Sequence, residues 1–147
     1  MRAFKFILLL MIGANLMAGE KIALSVKNSS GMQSEFSISL TDNSPASELV
    51  KQLKNSPLTL KMSDFSNFEK VGNLPFSLPR NDEPISTDAG DVILYQGSRF
   101  VIYYDQNSWN FTRLGVIDEL KNGKISKAEF IKFLGNGDIE ATLRVKE

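Results

Sequence analysis

The stretch from Ala89 to Gly115, AGDVILYQGSRFVIYYDQNSWNFTRLG, narrows the possible folds more than any other part of the chain. Two runs, Val92 to Tyr95 and Phe100 to Tyr104, flank a tight turn at Gln96-Gly97-Ser98. Successive side chains of a strand point to opposite faces, and here both faces are apolar or aromatic. Neither run therefore reads as a half-solvated strand. One face must fill a core, and the other is either covered by another part of the chain or left as a groove. A third short run follows the only tryptophan, Trp109, and ends at Gly115. Tyr95, Tyr103 and Tyr104, with Trp109, combine a large apolar body with a polar handle, which suits a groove for a peptide or small ligand and also suits ordinary strand ends.

The chain opens MRAFKFILLLMIGANLMAGE. Arg2 and Lys5 precede an apolar run from Phe6 to Ile12, and small or neutral residues follow to Ala18. That is the three-part layout of a secretory signal peptide, and the apolar run is too short to span a bilayer. Residues 1–18 are expected to be removed after Ala18, which leaves one domain over residues 19–147. An exported chain, periplasmic or secreted, with no stable membrane insertion after cleavage is the expectation.

Losing Arg2 and Lys5 from a total of 17 basic and 17 acidic residues leaves a slight acidic excess. Nucleic acid or an anionic membrane would favour a clustered basic surface, and the sequence has none. Cysteine and histidine are both absent. Their absence removes disulfides, thiol nucleophiles, Ser-His and Cys-His hydrolase chemistry, and imidazole or thiolate zinc sites. No sequence feature calls for a cofactor.

The strands predicted on either side of the central stretch are of the half-buried kind. Ile22, Leu24 and Val26 alternate with more polar neighbours, as do Phe36, Ile38 and Leu40, and the turn-forming residues 27–34 join them as a hairpin. A helix follows: Asn43 or Ser44 caps it, Pro45 suits its first turn, and Ala46, Leu49, Val50 and Leu53 share a face. Period two returns at Leu58, Leu60 and Met62. The segment from Phe65 to Asp88 has no clear period and carries Pro75, Pro79 and Pro84, so it reads as one long loop. Phe65, Phe68 and Phe76 either pin that loop to the body or take part in a site. Towards the C-terminus, Ser126 and Glu129 form a capping box, Phe130, Phe133 and Leu134 share a helix face, and Gly135 ends the helix. Ile139, Ala141, Leu143 and Val145 alternate as a last strand.

Many short strands with two well-separated short helices predict a mainly β fold, a closed antiparallel β-barrel with the helices capping its ends. An open sheet with helices on one side is the competitor. Asp118 to Glu129, DELKNGKISKAE, also resembles a calcium loop, with Asp118, Asn122 and Glu129 in ligand positions. Leu120 stands at the third position and offers no side-chain oxygen. The simpler reading makes Asn122-Gly123 a turn and Glu129 part of the capping box, with no metal.

From Gly97 onward the chain resembles the C-terminal half of a cyclophilin. The matching features are Gly97-Ser98-Arg99-Phe100-Val101-Ile102, then Trp109, then Leu114-Gly115-Val116, a helix near 127–134 and a strand near 139–145. The SLPRNDEP and AGDVILYQG segments resemble more closely the small bacterial cyclophilin-like proteins, whose function is unassigned. Cyclophilins isomerise X-Pro bonds by seating proline in an apolar pocket while an arginine donates to the amide. The resemblance implies Trp109 and Val101 as pocket residues. The family's pocket histidine has no counterpart, Phe111 lying nearest. Arg80 stands at the spacing of the family's arginine before Asp91, in the different context Leu78-Pro79-Arg80-Asn81. Together these readings predict an exported, non-catalytic module whose groove of Arg80, Tyr95, Val101, Tyr103, Trp109 and Phe111 takes a peptide or small ligand. A prolyl isomerase using Arg80 and a calcium-binding protein are the alternatives.

Overall fold

The computed structural model describes residues 20–147, so the leader expected over residues 1–18 lies outside the described residues. Among the described residues nine strands and three helices follow one another as β1 (Lys21–Lys27), β2 (Gln33–Leu40), α1 (Ser44–Asn55), β3 (Leu58–Phe65), β4 (Glu69–Asn73), β5 (Glu83–Thr87), β6 (Asp91–Tyr95), β7 (Arg99–Tyr103), β8 (Asn107–Ile117), α2 (Asp118–Lys121), α3 (Lys127–Leu134) and β9 (Ile139–Val145). The strands pair antiparallel in the order β2-β1-β9-β3-β4-β7-β6-β8-β5. In addition, β8 pairs back to β2 through Ile38–Ile117, Ser39–Val116 and Leu40–Gly115. The succession of pairings thus returns to the strand it started from, leaving β5 as an appended edge on the far half of β8. Among the described residues no helix is long and apolar enough to cross a membrane.

The alternating residues read from the sequence do form the core. Ile22, Leu24, Phe36, Ile38, Leu60 and Met62 are buried together, joined by Leu49, Val50 and Leu53 of α1 and by Phe130 and Leu134 of α3. Asn43 caps α1 by accepting from the Ala46 amide at 3.0 Å. Ser126 and Glu129 close the expected capping box on α3. The strongly bonded ends let these short helices present complete apolar faces despite their length.

Two expectations are corrected. The segment from Phe65 to Asp88 is not one loop: it contains β4 and β5, and only residues 74–82 run without regular structure between them. In β4 the alternation carries charges instead of a hydrophobic stripe. Lys70 is fully buried on the inner face, and Glu69 lies on the outer one, so the apolar period vanishes. β5 contains Pro84, which cannot donate to a ladder and is tolerated here because β5 is an edge strand. Likewise, where the sequence predicts two helices, the described residues hold a third, the short α2, just before the expected turn at Asn122-Gly123.

Lys70 explains how a charge can occupy the inner face. Its ammonium donates to the carbonyls of Gly135 and Gly137 at 2.8 and 2.7 Å. It also lies 3.1 Å from Asp64 Oδ1 and 5.6 Å from the centroid of the Tyr104 ring. The Gly135 carbonyl closes α3, so the lysine also meets the negative end of that helix.

Candidate functional site

The two central runs bury both of their faces, in two separate clusters. Val92, Leu94, Phe100 and Ile102 belong to the main core. Ile93, Val101 and Tyr103 point the other way and form a second cluster with Ile85 and Phe111, flanked by Phe68, Val71 and Tyr95. Val101, Tyr103 and Phe111 of this outer cluster, with the flanking Phe68, Val71 and Tyr95, line a groove of about 560 Å³, and Ile85 and Ile93 pack beneath them. The groove is therefore the second face that the sequence left open.

Its floor is the outer face of β4 and β7, which pair in register Glu69–Tyr103, Val71–Val101 and Asn73–Arg99. One wall is the β3–β4 turn. Ser66 and Asn67 both adopt positive φ there, 52° and 60°, as a tight hairpin reversal requires. That reversal sets Phe65 and Phe68 edge to face at 5.9 Å between centroids. The Phe68 carbonyl is held in turn by the Tyr104 amide at 2.9 Å. The opposite wall is the outer half of β8, braced by β5, which carries Asn107, Trp109 and Phe111. The walls end in two large apolar side chains left in solvent, Phe65 at 57% exposure and Trp109 at 63%.

The polar groups are few. Glu69 is only 9% exposed although it lines the groove. Burial raises its carboxyl above the ordinary range, a hydrogen bond from Tyr103 lowers it in part, and the charge of Asp64 raises it further. The Tyr103 hydroxyl, itself pushed far up by burial, also accepts from Asn107 Nδ2 at 3.3 Å. At the other end of the floor Arg99 lies 6.0 Å from the Tyr95 ring centroid. Its guanidinium needs no carboxylate to stay in place, because an aromatic face attracts it.

Of the six groove residues expected from the sequence, Tyr95, Val101, Tyr103, Trp109 and Phe111 do line one groove. Arg80 is not among its lining residues. The guanidinium donates twice to Asp82 Oδ2, at 3.1 and 2.6 Å, and Thr112 holds the other oxygen of the same carboxylate at 2.7 Å. These bonds hold Asp82 well below the usual carboxylate range, the Thr112 bond most of all. Asn81 N also donates to Thr112 at 2.8 Å, so Arg80 belongs to the clamp that fastens residues 74–82 to β8. That connection packs Leu74 and Leu78 into the main core and leaves the groove uncovered.

Asp118, Asn122 and Glu129 are committed to different partners. Asp118 accepts from Lys21 at 2.8 Å and Ser39 at 2.6 Å, Asn122 accepts from the Lys124 amide, and Glu129 serves the capping box. Among the described residues no group of three or more potential ligands converges as a metal ion would require.

Glu69 is a groove residue that the sequence does not announce. Phe65 and Phe68, open in the sequence between anchoring the chain and taking part in a site, both line the groove, and the stacking of Phe68 on Tyr103 follows from a register that local sequence does not display. A family model described as the cyclophilin-like family matches residues 31–144. None of the curated proteins compared with the chain matches it.

Proposed function

The chain belongs to the cyclophilin-like family, and from that premise we propose that it is an exported binding module whose outer groove takes a peptide or small ligand with an aromatic or aliphatic body. One observation carries the reading: β7, with β4 beside it, spends its second face on the floor of an open groove whose lips are two exposed aromatic side chains, Phe65 and Trp109. Large apolar groups left in water at the edge of a concavity are the usual mark of a surface that a partner covers. The proposal takes the returning succession of strand pairings as a barrel wall, with the groove on its outside.

Binding is favoured over prolyl isomerisation because Arg80, the donor that the isomerase reading requires, is held by Asp82 and is not a groove residue. Calcium binding through Asp118, Asn122 and Glu129 has no comparable support, since each of the three serves a local structural bond.

Trp109 is the only tryptophan and stands on the lip, so its emission reports occupancy without a label. Acetylated, amidated dipeptides bearing one aromatic residue are expected to shift that emission saturably. In Trp109→Ala, calorimetry is expected to show at least about a fivefold loss of affinity, with folding stability unchanged within ~0.5 kcal/mol because the side chain is mostly solvated. Absence of any saturable signal up to millimolar peptide would remove the reading.

A further inference from the structure

We propose that the groove selects a ligand carrying an organic ammonium group, seated against Glu69 and the aromatic rings around it, with the ligand's apolar body lying along the floor toward Arg99. This rests on the groove being a binding site. The first ground is the position of Glu69. It is a nearly buried carboxylate on the groove floor, opposite Tyr103 in the ladder. Among the described residues it forms no ion pair: its neighbour Lys70 projects to the inner face and is taken by Asp64 and two carbonyls. A buried carboxylate without a counterion is costly. A ligand cation is the group that turns this cost into attraction.

The second ground is the set of rings on the same end. Phe68 and Tyr103 lie parallel, with centroids 6.0 Å apart and planes at 3°. Phe65 stands edge-on to Phe68, and Phe111 lies 5.7 Å from Tyr103. Aromatic faces attract organic cations, most strongly where water is scarce. The carboxylate and the rings thus favour the same ligand group from independent physics.

The third ground is polarity along the floor. Arg99 is four residues from Tyr103 on β7, about 13 Å at the rise of a strand. Between the two ends lie Val71 and Val101. A cation placed near Arg99 would be repelled, while the same cation near Glu69 meets a carboxylate and rings on the groove side, the Lys70 ammonium lying on the inner face. Asp64, contributed by β3, adds to the negative potential at that end although Lys70 offsets it.

Four probes decide the matter, followed by Trp109 emission at pH 7: 2-phenylethylammonium, 2-phenylethanol, 3-phenylpropanoate and acetyl-phenylalanyl-lysine amide. Both cations are expected to bind about tenfold or more tightly than the alcohol, and the propanoate most weakly. Glu69→Gln keeps the shape of the side chain and is expected to abolish the advantage of the cations over the alcohol. Comparing the two cations tells whether the ammonium comes from a small amine or a lysyl side chain. In the unaltered protein the advantage should also shrink as pH falls and Glu69 takes up a proton. Asp64, Tyr103, Tyr95 and Arg99 are the other titratable or charged groups lining that floor and its walls. Equal binding of amine and alcohol, or a preference surviving in Glu69→Gln, would overturn the inference and leave the groove reading standing. No saturable change with any of the four would overturn both.

Discussion

Glu69 carries the proposed preference of the groove, and its burial has a cost that can be measured apart from any ligand. Its carboxyl is raised above the ordinary value of 4.5 chiefly by burial. A raised carboxyl binds its proton more tightly when folded than when unfolded. The associated stability is fully present below the unfolded value and is lost as pH rises through the folded one. Glu69→Gln, which never ionises, should therefore melt at a higher temperature than the parent at pH 7 and lose that margin near pH 4. Thermal unfolding followed by circular dichroism at the two pH values checks this. An unchanged difference between the two pH values would mean that Glu69 is not desolvated. The residue gave no sign of this in sequence, where it is one acid among 17 acidic residues.

At the level of elements, the strands that were legible are those whose polarity follows their geometry. The hairpin of β1 and β2, the run of β3 and β9 show period-two apolar patterns, the two central strands are continuous apolar runs, and α1 and α3 announce themselves by capping residues and an apolar face. β4 was hidden because a lysine, Lys70, occupies an inward position where a hydrophobic stripe would place an apolar side chain, and Glu69 beside it is charged as well. The proline in β5 argued against a strand, and only its place at the sheet edge removes the objection. The lysine is what holds this unreadable element in place. Lys70→Ala should cost about 3–5 kcal/mol in urea unfolding, since it removes the ammonium that faces the Asp64 carboxylate and leaves the carbonyls of Gly135 and Gly137 without their donor. The β2–β8 pairing depends on a different kind of residue. A Cβ on Gly115 would lie 2.3 Å from the Ser39 carbonyl oxygen, so the strands could not keep their spacing. Gly115→Ala should cost about 1–3 kcal/mol, and amide exchange should quicken first at Ile38 to Leu40.

Over the whole molecule, two apolar clusters share the same strands. β6 and β7 separate an inner core from an outer one, which is why a domain of this size can support a groove floored with fully buried side chains. The sequence displayed that double commitment as two runs apolar on both faces, yet it left open whether the second face was covered. The answer depended on β4 and β5, the two strands it hid. The first and last strands also bear on the molecule as a whole. β1 pairs with β9 from Ile22–Val145 onward, and the Lys146 amide donates to the Lys21 carbonyl at 2.9 Å. In the succession of pairings these two strands lie on the side away from β6 and β7. The backbone can accordingly be rewired: a short linker joining residue 147 to residue 20, with new ends opened in the turn around Gly31, should give a circular permutant that folds and keeps its groove.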